Sequence, residues 1–434
     1  ILNKMPEPGE KRKMVGFDEF MANRTNPMTD KFDIKRFHHI EFYCSDATQA
    51  SNRFTWGLGM PEVCRSNMNS GNQTYASHAI QSGELVFCFT APYNNEADVR
   101  GNQDNIPSPS FDQKFAHEFV AKHGLAVRAV GISVDNAQDA HDISVKNGAT
   151  SVVAPYTQVD KITGKSMTIS EIAYFGDAVL RWVSGDFDGP MLPNYAPSPM
   201  AGLKDGIVSY GLQRLDHVVS NVPSLFAAVD KVMAEIGFHE FSEFTAEDVG
   251  TVDSGLNSMV LASNNEFVLL PINEPTFGTP RKSQIQTYLD HNNGAGIQHL
   301  ALMTDDIFTT MREMRKRSHI GGFEFMPQPS KGYYEKCPAR IGEDSLTKQQ
   351  FAELEELGLL ADRDDQGILL QVFTKPLGDR PTVFCEIIQR IGCDIDENGK
   401  KKVQGAGCGG FGKGNFSELF KSIENFEKAM EKKD

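Results

Sequence analysis

A chain of 434 residues that is 40% hydrophobic can bury large cores, and its length sets a prior of two to four domains. Its formal charge of -15 and pI near 5.3 exclude the basic stripe that binding to nucleic acid or to an anionic membrane requires. No apolar run approaches the ~20 residues of a membrane span and the N-terminus shows no secretory apolar core, so a soluble chain is expected.

In chain order, one pattern recurs four times: RFHHIEFYCSDATQA from Arg36, RAVGISVDNAQDA from Arg128, RLDHVVSNVPSLFAA from Arg214 and GIQHLALMTDDIFTT from Gly296. In each, apolar residues alternate, then Ser, Asp or Asn opens a helix of about three turns. Glycine closes each helix, at Gly57, Gly148, Gly237 and Gly321. After the first and third copies, YASHAIQSGELVFCFTAPYN and NSMVLASNNEFVLLPINEP each read as two strands joined by a polar turn. The pattern centres His39, Gly131, His217 and His299 are 92, 86 and 82 residues apart, room for one βαβββ module each.

Four such modules predict an α+β chain of two paired domains, 28–190 and 213–434, joined by a linker over 191–212. The stretch GDFDGPMLPNYAPSPMAGLKDG, residues 185–206, is rich enough in Pro and Gly to lack regular structure. Extra material falls at 97–123 and 328–365, the latter with a helix over LTKQQFAELEELGLL. The arrangement resembles the vicinal oxygen chelate superfamily (glyoxalase-like fold), whose paired βαβββ modules curl into open barrels around a metal.

Seven cysteines without C-x-x-C spacing predict reduced thiols in an intracellular compartment, with neither a disulfide frame nor a zinc knuckle. A cytoplasmic location is the expectation and a plastid the alternative.

The third and fourth copies carry the chemistry. His217 alternates with Leu215 and Val219, and His299 with Ile297 and Ala301, so both imidazoles face apolar neighbours. Either alone reads as a hydrogen-bonded core histidine; two at equivalent repeat positions weaken that account. Glu386 in TVFCEIIQR is a carboxylate among apolar strand residues, and must be paired or bound to a cation. Two histidines and one carboxylate form the facial triad of non-haem Fe(II) oxygenases, with a cross-strand arginine as the structural alternative for Glu386. In the first two copies His39 matches His217, Gly131 takes the place of His299, and the strand AVLRWV offers no acid, so no metal is expected there. Cys385, facing away from Glu386, reads as an inert core thiol.

Near the C-terminus, GCGGFGKGNFSELF misses a phosphate-binding loop at Gly414, where Ser or Thr is needed. Asn415 followed by Glu418 reads as a helix start, and Phe416, Leu419, Phe420, Ile423, Phe426 and Met430 form one apolar helical stripe.

The segments HHIEFYCSDA, TWGLGM, GELVFCFTAPY, LDHVVSNVP, GIQHLAL, GILLQVFTKP, PTVFCEIIQR and CGGFGKGNFSELFKSIE resemble the 4-hydroxyphenylpyruvate dioxygenase family, plant type, from about Phe32 to Phe426. The resemblance implies one Fe(II) per chain, in the C-terminal domain, held by His217, His299 and Glu386. It also implies 4-hydroxyphenylpyruvate and O2 as substrates, with homogentisate and CO2 as products, in tyrosine breakdown and in plastoquinone and tocopherol supply. Phe373 and Phe384 would flank the substrate ring, Gln284, Gln298 and Gln371 would make polar contacts, and Ser258 and Asn273 would orient it. Phe411 and Phe416 would close over the site, with the C-terminal helix as a lid hinged on the glycines. The competing readings are 4-hydroxymandelate synthase, an extradiol dioxygenase and a metal-free binding module. A homodimer is compatible with the sequence and not legible in it.

Overall fold

The computed structural model describes residues 13–93, 106–200, 208–250, 254–392, 394–397, 401–404, 407–416, 418 and 421–423. A short helix α1 (Phe17–Asn23) precedes the first module: β1 (Ile34–Tyr43), α2 (Ala47–Leu58), β2 (Glu62–Ser66), β3 (Tyr75–Ser82) and β4 (Leu85–Pro92). After α3 (Gln113–His123) the pattern repeats as β5 (Ala126–Val134), α4 (Ala137–Lys146), β6 (Ser151–Val159), β7 (Ser166–Ala173) and β8 (Val179–Gly185). A two-residue strand β9 (Ala196–Pro197) leads to the third module: β10 (Leu212–Asn221), α5 (Leu225–Ile236), β11 (His239–Phe244), α6 (Ala246–Val249), β12 (Leu256–Ala262) and β13 (Leu269–Pro275). Beyond α7 (Gln284–His291), the fourth module comprises β14 (Gly296–Thr304), α8 (Ile307–Arg315), α9 (Lys331–Ile341), α10 (Lys348–Leu357), β15 (Leu360–Arg363), β16 (Ile368–Phe373) and β17 (Phe384–Ile391). A hairpin, β18 (Asp394–Glu397) and β19 (Lys401–Gln404), follows.

The predicted α+β architecture of four βαβββ modules is therefore the observed one. Local chemistry explains each module's first turn. Asp46, Asn136 and Asp306 use their side-chain oxygens to cap the exposed N–H groups of α2, α4 and α8, and Ser224 stands at the same place before α5.

Within each module the first and last strands pair in parallel, and modules join through the antiparallel pairs β1/β5 and β10/β14. Two sheets result, β6-β7-β8-β5-β1-β4-β3-β2-β9 and β11-β12-β13-β10-β14-β17-β16-β15, each curled into a half-barrel. Apolar cores fill them, with Trp182, Phe42, Phe54 and Phe87 almost wholly buried in the first.

Four expectations change. α8 ends at Arg315 with Lys316 as its cap, so Gly321 does not close it. Gly57 lies inside α2, which Gly59 closes in the left-handed region at φ 68°. A Cβ on Gly57 would come within 2.6 Å of the Phe323 ring, so this glycine permits close approach of the two halves of the chain. The Pro- and Gly-rich connection is not wholly irregular, because β9 adds to the sheet edge at β2, Cys64 pairing with Pro197. Cys44, Cys64, Cys88, Cys337 and Cys385 are free and buried, but Cys408 is disulfide-bonded, its partner outside the described residues. Sequence spacing does not report the Cα proximity a disulfide needs.

Register also corrects the repeat alignment. The N-caps Asn136 and Asp306 and the strand ends Val134 and Thr304 are equivalent, so Gly131 matches Ala301 and the residue in the place of His299 is Ala129. By the same pairings Arg181 matches Glu386. The first half-barrel thus has a guanidinium at its centre. Arg181 donates to His39 Nε2 at 2.9 Å and pairs with Glu41 at 2.6 Å and Glu171 at 2.7 Å. Burial and the nearby arginines hold His38 down at about 4, and burial holds His39 well below its usual range, so both are neutral at pH 7.

Candidate metal centre

Three strands of the second sheet bring the triad together. His217 on β10 and His299 on β14 each aim Nε2 at Glu386 Oε2 on β17, at 3.2 and 3.6 Å. The three ligand atoms lie within 4.8 Å of one another, a group of metal-ligating side chains with no second instance among the described residues. No lysine or arginine pairs with Glu386 among those residues; its neighbours are the two histidines and Gln371. A buried carboxylate whose only ionic partners are imidazoles fits a divalent cation, and the N, N, O donor set leaves positions open for substrate.

Burial works to raise the Glu386 carboxyl, but hydrogen bonds and charge from His217 and His299 overcome it and hold it below the usual range. Burial likewise opposes charge on His217, yet Asp216 and Glu386 leave it raised. His299 is lowered, because burial and the neighbouring His217 outweigh Glu386.

Each ligand has a partner behind it. His217 Nδ1 meets Asp216 Oδ2 at 2.8 Å, His299 Nδ1 meets Gln298 Oε1 at 3.0 Å, and Gln371 Nε2 donates to Glu386 Oε1 at 3.0 Å. Such contacts set the tautomer and ring orientation, presenting each Nε2 lone pair toward the centre. Two of these partners sit on β-bulges. Leu215 and His217 pair with consecutive residues of β14, which leaves Asp216 unopposed; Val219 and Ser220 pair with His299 and Ile297, which leaves Gln298 unopposed. A bulge frees a residue from strict alternation, so its side chain reaches the same side as the neighbouring ligand. His38 stands at the matching bulge in β1, with its Nδ1 2.7 Å from that of His39.

The other candidate residues fall into two groups. Asn273 Nδ2 donates to Gln298 Oε1 at 3.4 Å and to Asn221 Oδ1 at 3.2 Å, and Ser258 pairs with Asn273 across β12 and β13. Gln298 and Gln371 touch the triad itself, at His299 and Glu386. Phe384 stacks on the His299 ring at 4.8 Å, and Phe373 meets Phe384 edge-on at 6.2 Å and 75°. Phe411 lies 5.2 Å from the His217 ring, while Phe416 reaches the cluster through Phe244, at 5.4 Å. Gln284 stands apart: it heads α7, half-buried, without a hydrogen bond to the other candidates among the described residues. Burial pushes the Cys385 thiol up, in keeping with an inert core residue.

The glycine-rich segment takes an unexpected form. Gly407, Gly409, Gly410 and Gly412 all have φ between 70° and 79°, and a Cβ on Gly412 would lie 2.1 Å from Gln371 Oε1. Lys413 binds Asp18 of α1 at 3.0 Å and Asp248 at 3.4 Å, so its ammonium is committed to the protein's own carboxylates. Asn415 is no helix cap; it is buried, accepting from Tyr333 Oη at 2.7 Å and donating to Gln371 Oε1 at 3.2 Å. Its short side chain satisfies buried groups here that outweigh the exposed N–H groups of a helix end. Lys413–Asn415 form a 3-10 turn, and Phe416, Glu418 and Lys421–Ile423 are helical. Of the expected stripe, Leu419, Phe420, Phe426 and Met430 lie outside the described residues.

Sequence reading missed Asp216, Arg390, Asn221, Asn415 as an inward group, and Tyr333. The available signals were a charged residue beside a strand histidine in LDHVV and a lone arginine ending the apolar run of β17.

No protein-family model matches the chain. It is 55% identical over 427 residues to the 4-hydroxyphenylpyruvate dioxygenase of Plectranthus scutellarioides, covering 97% of this chain and 94% of that one. With the enzyme of the same name from Arabidopsis thaliana it is 54% identical over 426 residues, with the same coverage. Among solved structures, a mutant 4-hydroxymandelate synthase from Streptomyces coelicolor superposes with a TM-score of 0.71 over 91% of this chain and 99% of that one, at 22% identity, a likeness of fold. Identity of this level along nearly the whole length, together with the four-module fold, shows that the chain belongs to the 4-hydroxyphenylpyruvate dioxygenase family.

Proposed function

We propose that the protein converts 4-hydroxyphenylpyruvate and O2 to homogentisate and CO2, with Fe(II) held by His217, His299 and Glu386. One observation carries the reading: a His, His, Glu group, buried at His217 and Glu386 and half-buried at His299, whose carboxylate has no lysine or arginine partner among the described residues, in a chain 55% identical to a protein of that name. When bound, Fe(II) supplies the redox chemistry that neither imidazole nor carboxylate possesses. The identity of the metal rests on the family, since zinc suits the same ligands.

The chain's own groups set the conditions. Two neutral imidazoles and one carboxylate leave a divalent ion with one net positive charge, which the carboxylate of an α-keto acid would neutralise. Asp216, Gln298 and Gln371 keep the three ligands oriented. Phe373, Phe384 and Phe411 make the surroundings apolar, which favours an aromatic substrate and excludes water. Ser258, Asn273 and Gln298 offer polar contacts to the substrate on one side, and Gln371 on the other. Gln284, at the start of α7, would add a further polar contact.

The division into domains 28–190 and 213–434 with a linker over 191–212 belongs to the same proposal, supported by the strands of the two sheets. So does the C-terminal segment as a lid, supported by Phe411 against His217. A place in tyrosine breakdown and in plastoquinone and tocopherol supply belongs to the same proposal and rests on the family resemblance. No described helix is long and apolar enough to cross a membrane.

Product analysis is the test. Protein supplied with Fe(II), ascorbate and 4-hydroxyphenylpyruvate should release homogentisate; 4-hydroxymandelate as the main product would overturn the reading. Truncation after Gly412, which spares the loop carbonyls that hold Arg390, should abolish turnover while leaving iron bound if the helix that follows is a lid, whereas full turnover without it would exclude that role.

A further inference from the structure

Arg390, at the end of β17, is fully buried and bridges two groups by hydrogen bonds, beside the ring contact of Phe411 with His217. On one side its Nε and Nη2 donate to the two oxygens of Asp216, at 3.0 and 2.8 Å, and Asp216 in turn holds His217 Nδ1. On the other, its Nη1 donates to the carbonyls of Cys408 and Gly410, the latter at 2.7 Å. Left-handed backbone at Gly409 and Gly410 shapes the loop that presents these carbonyls.

A barrel of this kind does not need such a pair. By register, the positions of Asp216 and Arg390 correspond in the first half-barrel to His38 and Gly185, so the ion pair is absent where Arg181 replaces the acidic ligand. Burying two charges is costly, and replacing such a pair with apolar residues is often neutral, so stability alone does not account for it.

We propose that Arg390 is a positioning residue that couples the loop Gly407–Gly412 to the metal ligand His217 through Asp216. The loop carbonyls hold the guanidinium, the guanidinium holds the carboxylate, and the carboxylate holds the imidazole in its ligating rotamer. Coupling of this kind is reciprocal: metal binding at His217 must steady the loop by as much as the loop favours the metal. The inference rests on the proposed metal site, and its test separates the two.

Co(II) is the probe, with hydrogen–deuterium exchange read over residues 407–416. In the intact protein, Co(II) should bind once and slow exchange across this loop. Arg390→Lys keeps the charge but cannot span both partners; it should weaken Co(II) binding about tenfold, as loss of a group behind a ligand commonly does, and abolish the protection. Binding of Co(II) without protection in the intact chain overturns the coupling, as does equal protection in Arg390→Lys. Should Arg390→Lys fail to fold, Asp216→Asn, which keeps its shape, should speed exchange over 407–416 without any metal. Unchanged exchange there overturns the proposal. If the intact chain binds no Co(II), the metal site itself is wrong.

Discussion

Arg181 holds in the first half-barrel the place that Glu386 holds in the second, reaching His39 Nε2 at 2.9 Å where Glu386 reaches His217 Nε2 at 3.2 Å. One half-barrel thus has its central cation built in as a guanidinium. The other presents an anion within a group of side chains that could hold a metal ion.

Arg181→Ala should therefore destabilise the chain severely. It strands Glu41 and Glu171, both buried, without their central partner, and breaking a buried pair typically costs about 3–5 kcal/mol. Denaturant unfolding would show the loss, while metal stoichiometry in the folded fraction stays at one. His39→Ala should likewise leave bound metal unchanged, as counted by elemental analysis.

Gly412→Ala should damage turnover more than its size suggests. Its φ of 79° disfavours any side chain, and the new methyl would strike Gln371 Oε1, displacing the group that orients Glu386. Steady-state kinetics should show a kcat lower by about tenfold or more. Wild-type kcat with only a lower melting temperature would mean that the Gln371 contact is immaterial.

Asp30 gives a pH signature. Burial raises its carboxyl to about 6, with opposing help from the Asn264 N–H, so folding binds a proton more tightly than the unfolded chain does. Its penalty is absent below the unfolded value near 3.8 and grows as pH rises through about 6. Asp30→Asn keeps an acceptor for Asn264 and should raise the melting temperature at pH 8 but not at pH 3.5, if the fold survives there. After discounting for partial exposure, the gain is on the order of 1 kcal/mol. Equal effects at both pH values would contradict the assignment.

Much of this was legible because side chains alternate along strands. His217, His299 and Glu386 each stood among apolar neighbours where a polar group needs a partner. The misalignment of Gly131 came from setting Arg128 against Gly296, whereas β5 and β14 are equally long and Ala126 is the match for Gly296; the helix caps Asn136 and Asp306 are the firmer anchors. Bulges also hid Asp216 and Gln298 as partners of the histidines, because alternation sends each to the opposite face. Asn415 was misread for a different reason: its position suited a helix cap, and only tertiary packing shows that Tyr333 and Gln371 claim its side chain.

The most direct measurement compares the intact protein with Glu386→Ala, following oxygen uptake and homogentisate release with Fe(II), ascorbate and 4-hydroxyphenylpyruvate. The account predicts coupled uptake and release by the intact protein, with both lost together with bound iron in the variant. Equal turnover by the two proteins would contradict it.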